Sequence, residues 1–332
     1  LGELVAGKAR GRPGADAITL HLNNTGSGIV LRFININVIF LVSVLLQATF
    51  ATTGVAARVR VTITSHSLSF VVPILAQQKG LYRDEGLEVE LIRARSEVTV
   101  VALKSGEIDY TASLGTAFRA ALRGFPFKVV SVSATAPVQQ LVVDSSISKI
   151  TDLRGKILGI EQPGGSAWYL PKKVLKHFGL DAEKEIRVLS VGNSGDRYAS
   201  LLSGKIHAAF IPPPFSVQAE ARGFRILLNL HQVIQQPFVG LATSLNKIQQ
   251  SRGQIDAMLR AQNRAVLFIQ RRPTEMVEFI SSYYKLDHGM ALRSYELIKD
   301  YFSPDGRMPR KDWEAYLLEE GSLVGLDKPI AL

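Results

Sequence analysis

Two stretches of this chain follow one plan. "KGLYRDEGLEVELI" and "VALKSGEIDYTAS", between residues 79 and 113, are matched by "FGLDAEKEIRVLSV" and "ASLLSGKIHAAFI", between 178 and 211. Each copy reads as a helix end, a glycine, a strand, a helix, Ser-Gly and a strand. The glycines fall in step: Gly80 and Gly106 in the first copy, Gly179 and Gly204 in the second. A glycine just past a helix end takes the left-handed conformation that satisfies the last carbonyls. The period is too long for a solenoid, and two similar α/β lobes account for it better.

The flanking pattern agrees. "RVRVTITS" alternates and is β-branched, as a strand should be. "FVVPILAQQKG" reads as a helix stopped by Gly80, and "SEVTVVALKSG" as a helix with Ser96 as its N-cap. Strands keep alternating with helices to about residue 137, then restart near 140 and run to "FRILLNL". Such alternation predicts a mostly parallel sheet with helices on both faces. From about 247 the pattern is helical, with amphipathic runs such as "IDAMLRAQNRAVLFIQRR".

In open α/β sheets ligands bind beyond the carboxyl ends of the strands, where helix N-termini also converge. The loops there are "SHSLSF" (65–70), "SLGT" (113–116), "QPGGSA" (162–167), "GNSG" (192–195) and "PPP" (212–214). They offer hydroxyls and amides with few obstructing side chains. The candidate ligand-binding residues are Ser65, His66, Ser67, Ser69, Ser113, Thr116, Gly164, Gly165, Ser166, Asn193 and Pro212. Arg119 and Arg197 can each supply a cation, and Trp168 or Tyr169 a stacking face. Pro171 lies inside the helix expected from Ser166. It requires that helix either to start late or to kink.

The chain has 332 residues and no cysteine, so it forms no disulfide, thiolate zinc site or cysteine nucleophile. Its net charge of +10 is spread over short clusters rather than a stripe interleaved with aromatics, and this sets nucleic acid aside. Near the N-terminus Arg32 precedes "FININVIFLVSVLLQATF" and then small residues at Val55 and Ala57. Basic flank, short apolar run and small-x-small site together read as a cleavable secretory signal ending near Ala57. The rival reading is a membrane anchor, for which the run is short.

Enzyme signatures are missing. "GNSGD" lacks the last glycine of a nucleophile elbow, and there is no "GK[ST]", "GxGxxG" or "HExxH". The six histidines show no metal-ligand spacing, so neither a metal nor a cofactor is expected. Asp84 and Glu85 in "YRDEG" are paired acids at a turn, expected to be solvated.

The combination of "VTITSHSLSFVVPILAQQKGLYRDEGLEVELI", "ITDLRGKILGI", "PGGSA" and "LLSGKIHAAFIPPP" resembles the solute-binding proteins of ABC importers. It is most similar to the branch holding nitrate-, taurine- and aliphatic-sulfonate-binding proteins and thiamine-pyrimidine-precursor binders. The resemblance spans roughly residues 58–320. It implies a type II periplasmic-binding fold: two α/β lobes with mixed, mostly parallel sheets joined by a two-strand hinge near 135–142 and 234–244. Lobe 1 would comprise 58–137 plus 243–332 and lobe 2 138–242, after an N-terminal extension and signal over 1–57. It further implies an exported, periplasmic monomer that binds a small polar or anionic solute and passes it to an ABC permease and its ATPase. Family members contact ligand at positions matching Ser65, Ser67, Ser69, Ser113, Thr116, Gly165 and Ser166. The alternative is an enzyme of the same fold acting on a thiamine-type pyrimidine. The fungal enzymes of that kind depend on a cysteine-rich motif, which this chain lacks.

Overall fold

The computed structural model describes residues 57–161 and 166–323, with side chains from Tyr169 onward in the second span. The apolar run at 33–50 and the glycines at 164 and 165 lie outside the described residues.

Ten strands form two sheets. Strands β1 (Ala57–Ile63), β2 (Leu87–Arg93), β3 (Tyr110–Ser113) and β4 (Phe127–Ala134) belong to the first. Strands β5 (Gln140–Val143), β6 (Ile157–Ile160), β7 (Arg187–Ser190), β8 (Ala208–Ile211) and β9 (Arg225–Asn229) make the second. Strand β10 (Val239–Ser244) returns to the first. The orders are β2-β1-β3-β10-β4 and β7-β6-β8-β5-β9. These are one topology written twice, because β6 to β9 take the places of β1 to β4. In each sheet the fourth position holds a strand that has just crossed over, β10 or β5, and that strand runs antiparallel to both neighbours. The other neighbours pair in parallel.

The echo in the sequence is therefore a duplicated lobe. Gly80, Gly106, Gly179 and Gly204 all sit at left-handed φ, between 68° and 79°. Their corresponding strands, β2 with β7 and β3 with β8, hold corresponding places in the two sheets. Strand β10 begins at Val239, so the chain rejoins the first sheet four residues ahead of the lobe boundary expected at 243. The strand β1 likewise begins at Ala57, inside the segment assigned to the leader.

Twelve helices cover the sheets among the described residues: α1 (Val71–Gln78), α2 (Leu81–Asp84), α3 (Ser96–Ser105), α4 (Leu114–Leu122), α5 (Ser166–His177), α6 (Ser194–Leu202), α7 (Phe215–Glu220), α8 (Leu245–Gln250), α9 (Arg252–Arg271), α10 (Pro273–Tyr284), α11 (His288–Glu296) and α12 (Arg310–Leu323). Ser96 is the first helical residue of α3 rather than its cap; Arg95 holds that place and makes no capping bond. Helix α9 buries Ile255, Met258, Ala261, Ala265 and Ile269, a stripe at three- and four-residue spacing, and packs on α1 and α2. Its opposite edge reaches Asp84 and Glu85. Arg264 bonds Asp84 at 2.8 Å and Arg260 bonds Glu85 at 2.8 Å. The acidic pair is thus held in ion pairs, and Glu85 is mostly buried instead of solvated.

Helix α12 is placed by its own periodicity. Trp313, Tyr316, Leu317 and Glu320 share one face. Trp313 and Tyr316 pack tilted against Phe118 of α4, with ring centroids 5.8 and 4.8 Å away. That contact brings the end of α12 to the mouth of the groove between the lobes. None of the described helices is long and apolar enough to cross a membrane.

Candidate functional site

The chain crosses between the sheets twice, over 135–139 and 233–238. Backbone bonds tie the crossings together: Gln236 N–H donates to the Thr135 carbonyl at 3.0 Å and Leu230 N–H to the Gln139 carbonyl at 3.1 Å. Directly over them lies a cavity of about 450 Å³. That is within the size range of small-molecule sites. Gln139 from the first crossing and Gln236, Pro237 and Phe238 from the second line it.

The first lobe contributes strand-end loops. Ser65, Ser69, Ser113 and Thr116 all line the cavity. Ser65 and Ser69 are buried; the Ser69 hydroxyl donates to the Val138 carbonyl at 3.1 Å, across to the first crossing. Two neighbours depart from expectation. Ser67 is buried beneath the surface of the cavity and shares a 2.9 Å hydrogen bond with the Ser65 hydroxyl. His66 is exposed and turns away to Tyr283, 3.4 Å distant. A loop with side chains alternating in direction sends adjacent residues opposite ways, so a contiguous set of ligands is not available from it.

The second lobe contributes α5 and α6. Helix α5 runs from Ser166 through Pro171 without a late start. Gly164, Gly165 and the Ser166 side chain lie outside the described residues. Tyr169 does line the cavity; the Arg119 guanidinium lies 5.1 Å above its ring. Asn193 lines it too, with its side-chain oxygen committed to capping α6. That oxygen accepts from Gly195 N–H at 2.8 Å, while the Asp196 carboxylate accepts from Asn193 N–H at 2.9 Å. Pro212 is buried but does not line the cavity. Its loop serves as a clasp between lobes, the Pro213 carbonyl accepting from Leu68 N–H at 2.9 Å.

Charge at the site is unevenly satisfied. Arg119 meets Glu320 at 2.7 Å, with side chains only 8% and 5% exposed. Lys173 of α5 bonds both Glu319 and Gln236. Arg197 is 3% exposed and has no carboxylate within 4.0 Å among the described residues. Burial pulls its pKa down, opposed by the fields of Glu161 and Asp196. Glu161 is a carboxyl of the same lobe, just past the end of β6, and it also lines the cavity. Burial pushes its pKa up, and Arg197 acts against that rise.

The acidic end of α12 is what sequence reasoning missed. Nothing in "EAYLLEE" marks Glu319 and Glu320; the aromatic contact with Phe118 brings them here. No cluster of metal-ligating side chains occurs among the described residues.

A family model described as "NMT1/THI5 like" matches residues 68–276. No curated protein matches the sequence. Among solved structures, the alkanesulfonate-binding protein SsuA of Xanthomonas axonopodis pv. citri, bound to MOPS, superposes with a TM-score of 0.67 at 19% identity, covering 82% of this chain and 96% of that one. The periplasmic aliphatic sulphonate binding protein SsuA of Escherichia coli gives 0.61 at 18% identity, with 82% and 95% covered. The periplasmic nitrate-binding protein NrtA of Synechocystis PCC 6803 gives 0.63 at 14%, with 82% of each chain covered. At these identities the likeness is one of fold, and the fold is that of the periplasmic binding proteins.

Proposed function

Because this chain belongs to the NMT1/THI5-like family, we propose that it is a solute-binding protein that closes its two lobes on a small polar or anionic organic molecule and hands it on unchanged. The observation that carries this reading is the cavity wall itself: both lobes and both crossings contribute to it. A guest touching both lobes favours the closed arrangement by the free energy of those shared contacts. Leader cleavage near Ala57 would release the protein to the periplasm as a monomer of two lobes, 58–137 with 243–332 and 138–242. There the closed form docks on an ABC permease served by its ATPase.

The ligand contacts in this reading are Ser65, Ser69, Ser113 and Thr116 from one lobe, with Gly164, Gly165, Ser166 and Asn193 from the other. A thermal-shift panel of small solutes tests it. A true ligand at one hundred times its Kd should add about 2.7 kcal/mol of stability. Replacing Thr116 with Phe should abolish that shift, and mass spectrometry should recover the solute intact. Chemical conversion of the solute, or no stabilisation by any member of a broad panel, would count against a carrier.

A further inference from the structure

We infer that Arg197 is the charge-selecting anchor of the cavity, and that the site compensates one negative charge on its solute. This rests on the carrier reading above and assigns the charge of its guest.

The argument begins with what a buried guanidinium needs. It has five N–H donors and cannot shed its proton, so burial without an anion is strongly unfavourable. Arg197 stands in the first turn of α6 with its side chain folded back to the helix start. One terminal nitrogen donates to the Gly192 carbonyl at 2.6 Å and the other to the Ser194 hydroxyl at 3.3 Å. Its Nε–H is buried with no acceptor among the described residues. Both of the acceptors it has are neutral. The residue lines the cavity, so an oxyanion there can complete its hydrogen bonds and balance its charge.

Four other cations line the cavity: Lys172 is paired with Glu183, Lys176 is exposed to solvent, and the remaining two are engaged. Arg119 is matched by Glu320 at 2.7 Å, and Lys173 by Glu319. The amides at the start of α6 are occupied as well: Gly195 and Asp196 N–H both bond the Asn193 side chain. The guanidinium, rather than the helix terminus, is therefore the anion site. Glu161, just past β6 on the same lobe, also lines the cavity and repels a second negative charge. One guanidinium with an open Nε–H beside one carboxyl favours an organic monoanion, a sulfonate or a carboxylate, over a dianion such as a phosphonate.

The test uses matched probes on the whole protein: short alkanesulfonates and carboxylates, their neutral sulfonamides and carboxamides, and the corresponding phosphonates. In the wild type, monoanions should raise the melting temperature, while the amides and the phosphonates at pH 8 should not. Arg197→Gln should weaken the best monoanion at least about tenfold, a loss of about 1.4 kcal/mol. Arg197→Lys should recover part of that loss. Arg222→Gln, an exposed control on the same lobe, should change nothing. Equal binding of a monoanion and its neutral amide by the wild type would overturn the assignment even if no Arg197 variant folds. A monoanion that binds Arg197→Gln as well as the wild type would overturn it while leaving the carrier reading standing. Silence from every probe in the wild type would overturn the assignment, while the carrier reading stands or falls by the broad panel.

Discussion

Arg119 of α4 and Glu320 of α12 meet at 2.7 Å although 201 residues separate them in the chain, and both side chains are almost wholly withdrawn from water. Such a pair contributes little against an apolar equivalent, yet breaking one side leaves a buried charge alone. Glu320→Gln should cost about 3–5 kcal/mol in urea unfolding. Joining Arg119→Met to Glu320→Leu should restore most of that stability. A single-variant loss below about 1 kcal/mol would show that water reaches the pair.

The neighbouring contact, Lys173 to Glu319, spans the same groove but is about one-third exposed on each side. Exposed pairs are screened and hold long side chains at an entropic cost. Glu319→Gln should therefore lower stability by no more than about 1 kcal/mol. Adjacent glutamates on one helix should thus differ several-fold in their effect, and unfolding curves recorded side by side would establish it.

Glu161 predicts a pH dependence. Burial raises its folded-state pKa above the ordinary glutamate range; the nearby Arg197 and Arg95 oppose the rise, and Glu97 and Asp196 add to it. The folded protein then holds this proton more firmly than the unfolded chain does. Its effect on stability is absent below the ordinary range, and stability falls as pH climbs through the interval up to the folded-state pKa. Glu161→Gln should flatten that stretch of the curve and be the more stable protein above it. Melting temperatures taken from about pH 4 to pH 8 decide the matter, and parallel curves for the two proteins would refute it.

Two strand glycines should behave differently. A Cβ at Gly240 in β10 would stand 2.1 Å from the Ser131 carbonyl oxygen, which is backbone and cannot move aside. A Cβ at Gly159 in β6 would meet the tip of the Ile206 side chain, which can turn away. Gly240→Ala should cost about 1–3 kcal/mol, and Gly159→Ala clearly less. Gly240 follows Val239, which lines the cavity. Solute binding should consequently suffer more from the first change, as titration calorimetry would detect.

What was legible in the sequence was whatever local chemistry encodes. The four stop glycines declared the duplication because a left-handed residue is needed where each helix ends. The parts that were not legible depend on distant contacts. Nothing near Glu319 or Glu320 announces that α12 docks on Phe118. His66 and Ser67 share a loop with Ser65 and Ser69, and only the three-dimensional path of that loop decides which of them face inward. Arg119 and Arg197 looked alike as cations one turn into their helices; the partner that distinguishes them, Glu320, comes from the far end of the chain.

The exchange of β5 and β10 also bears on how the molecule is made. Every strand of the second sheet lies between residues 140 and 229, whereas the first sheet places β10 between β3 and β4. As the polypeptide leaves the ribosome, the half begun later is the one that can be finished earlier. The earlier half must wait, with β4 still lacking the neighbour it pairs with, until residue 244 emerges.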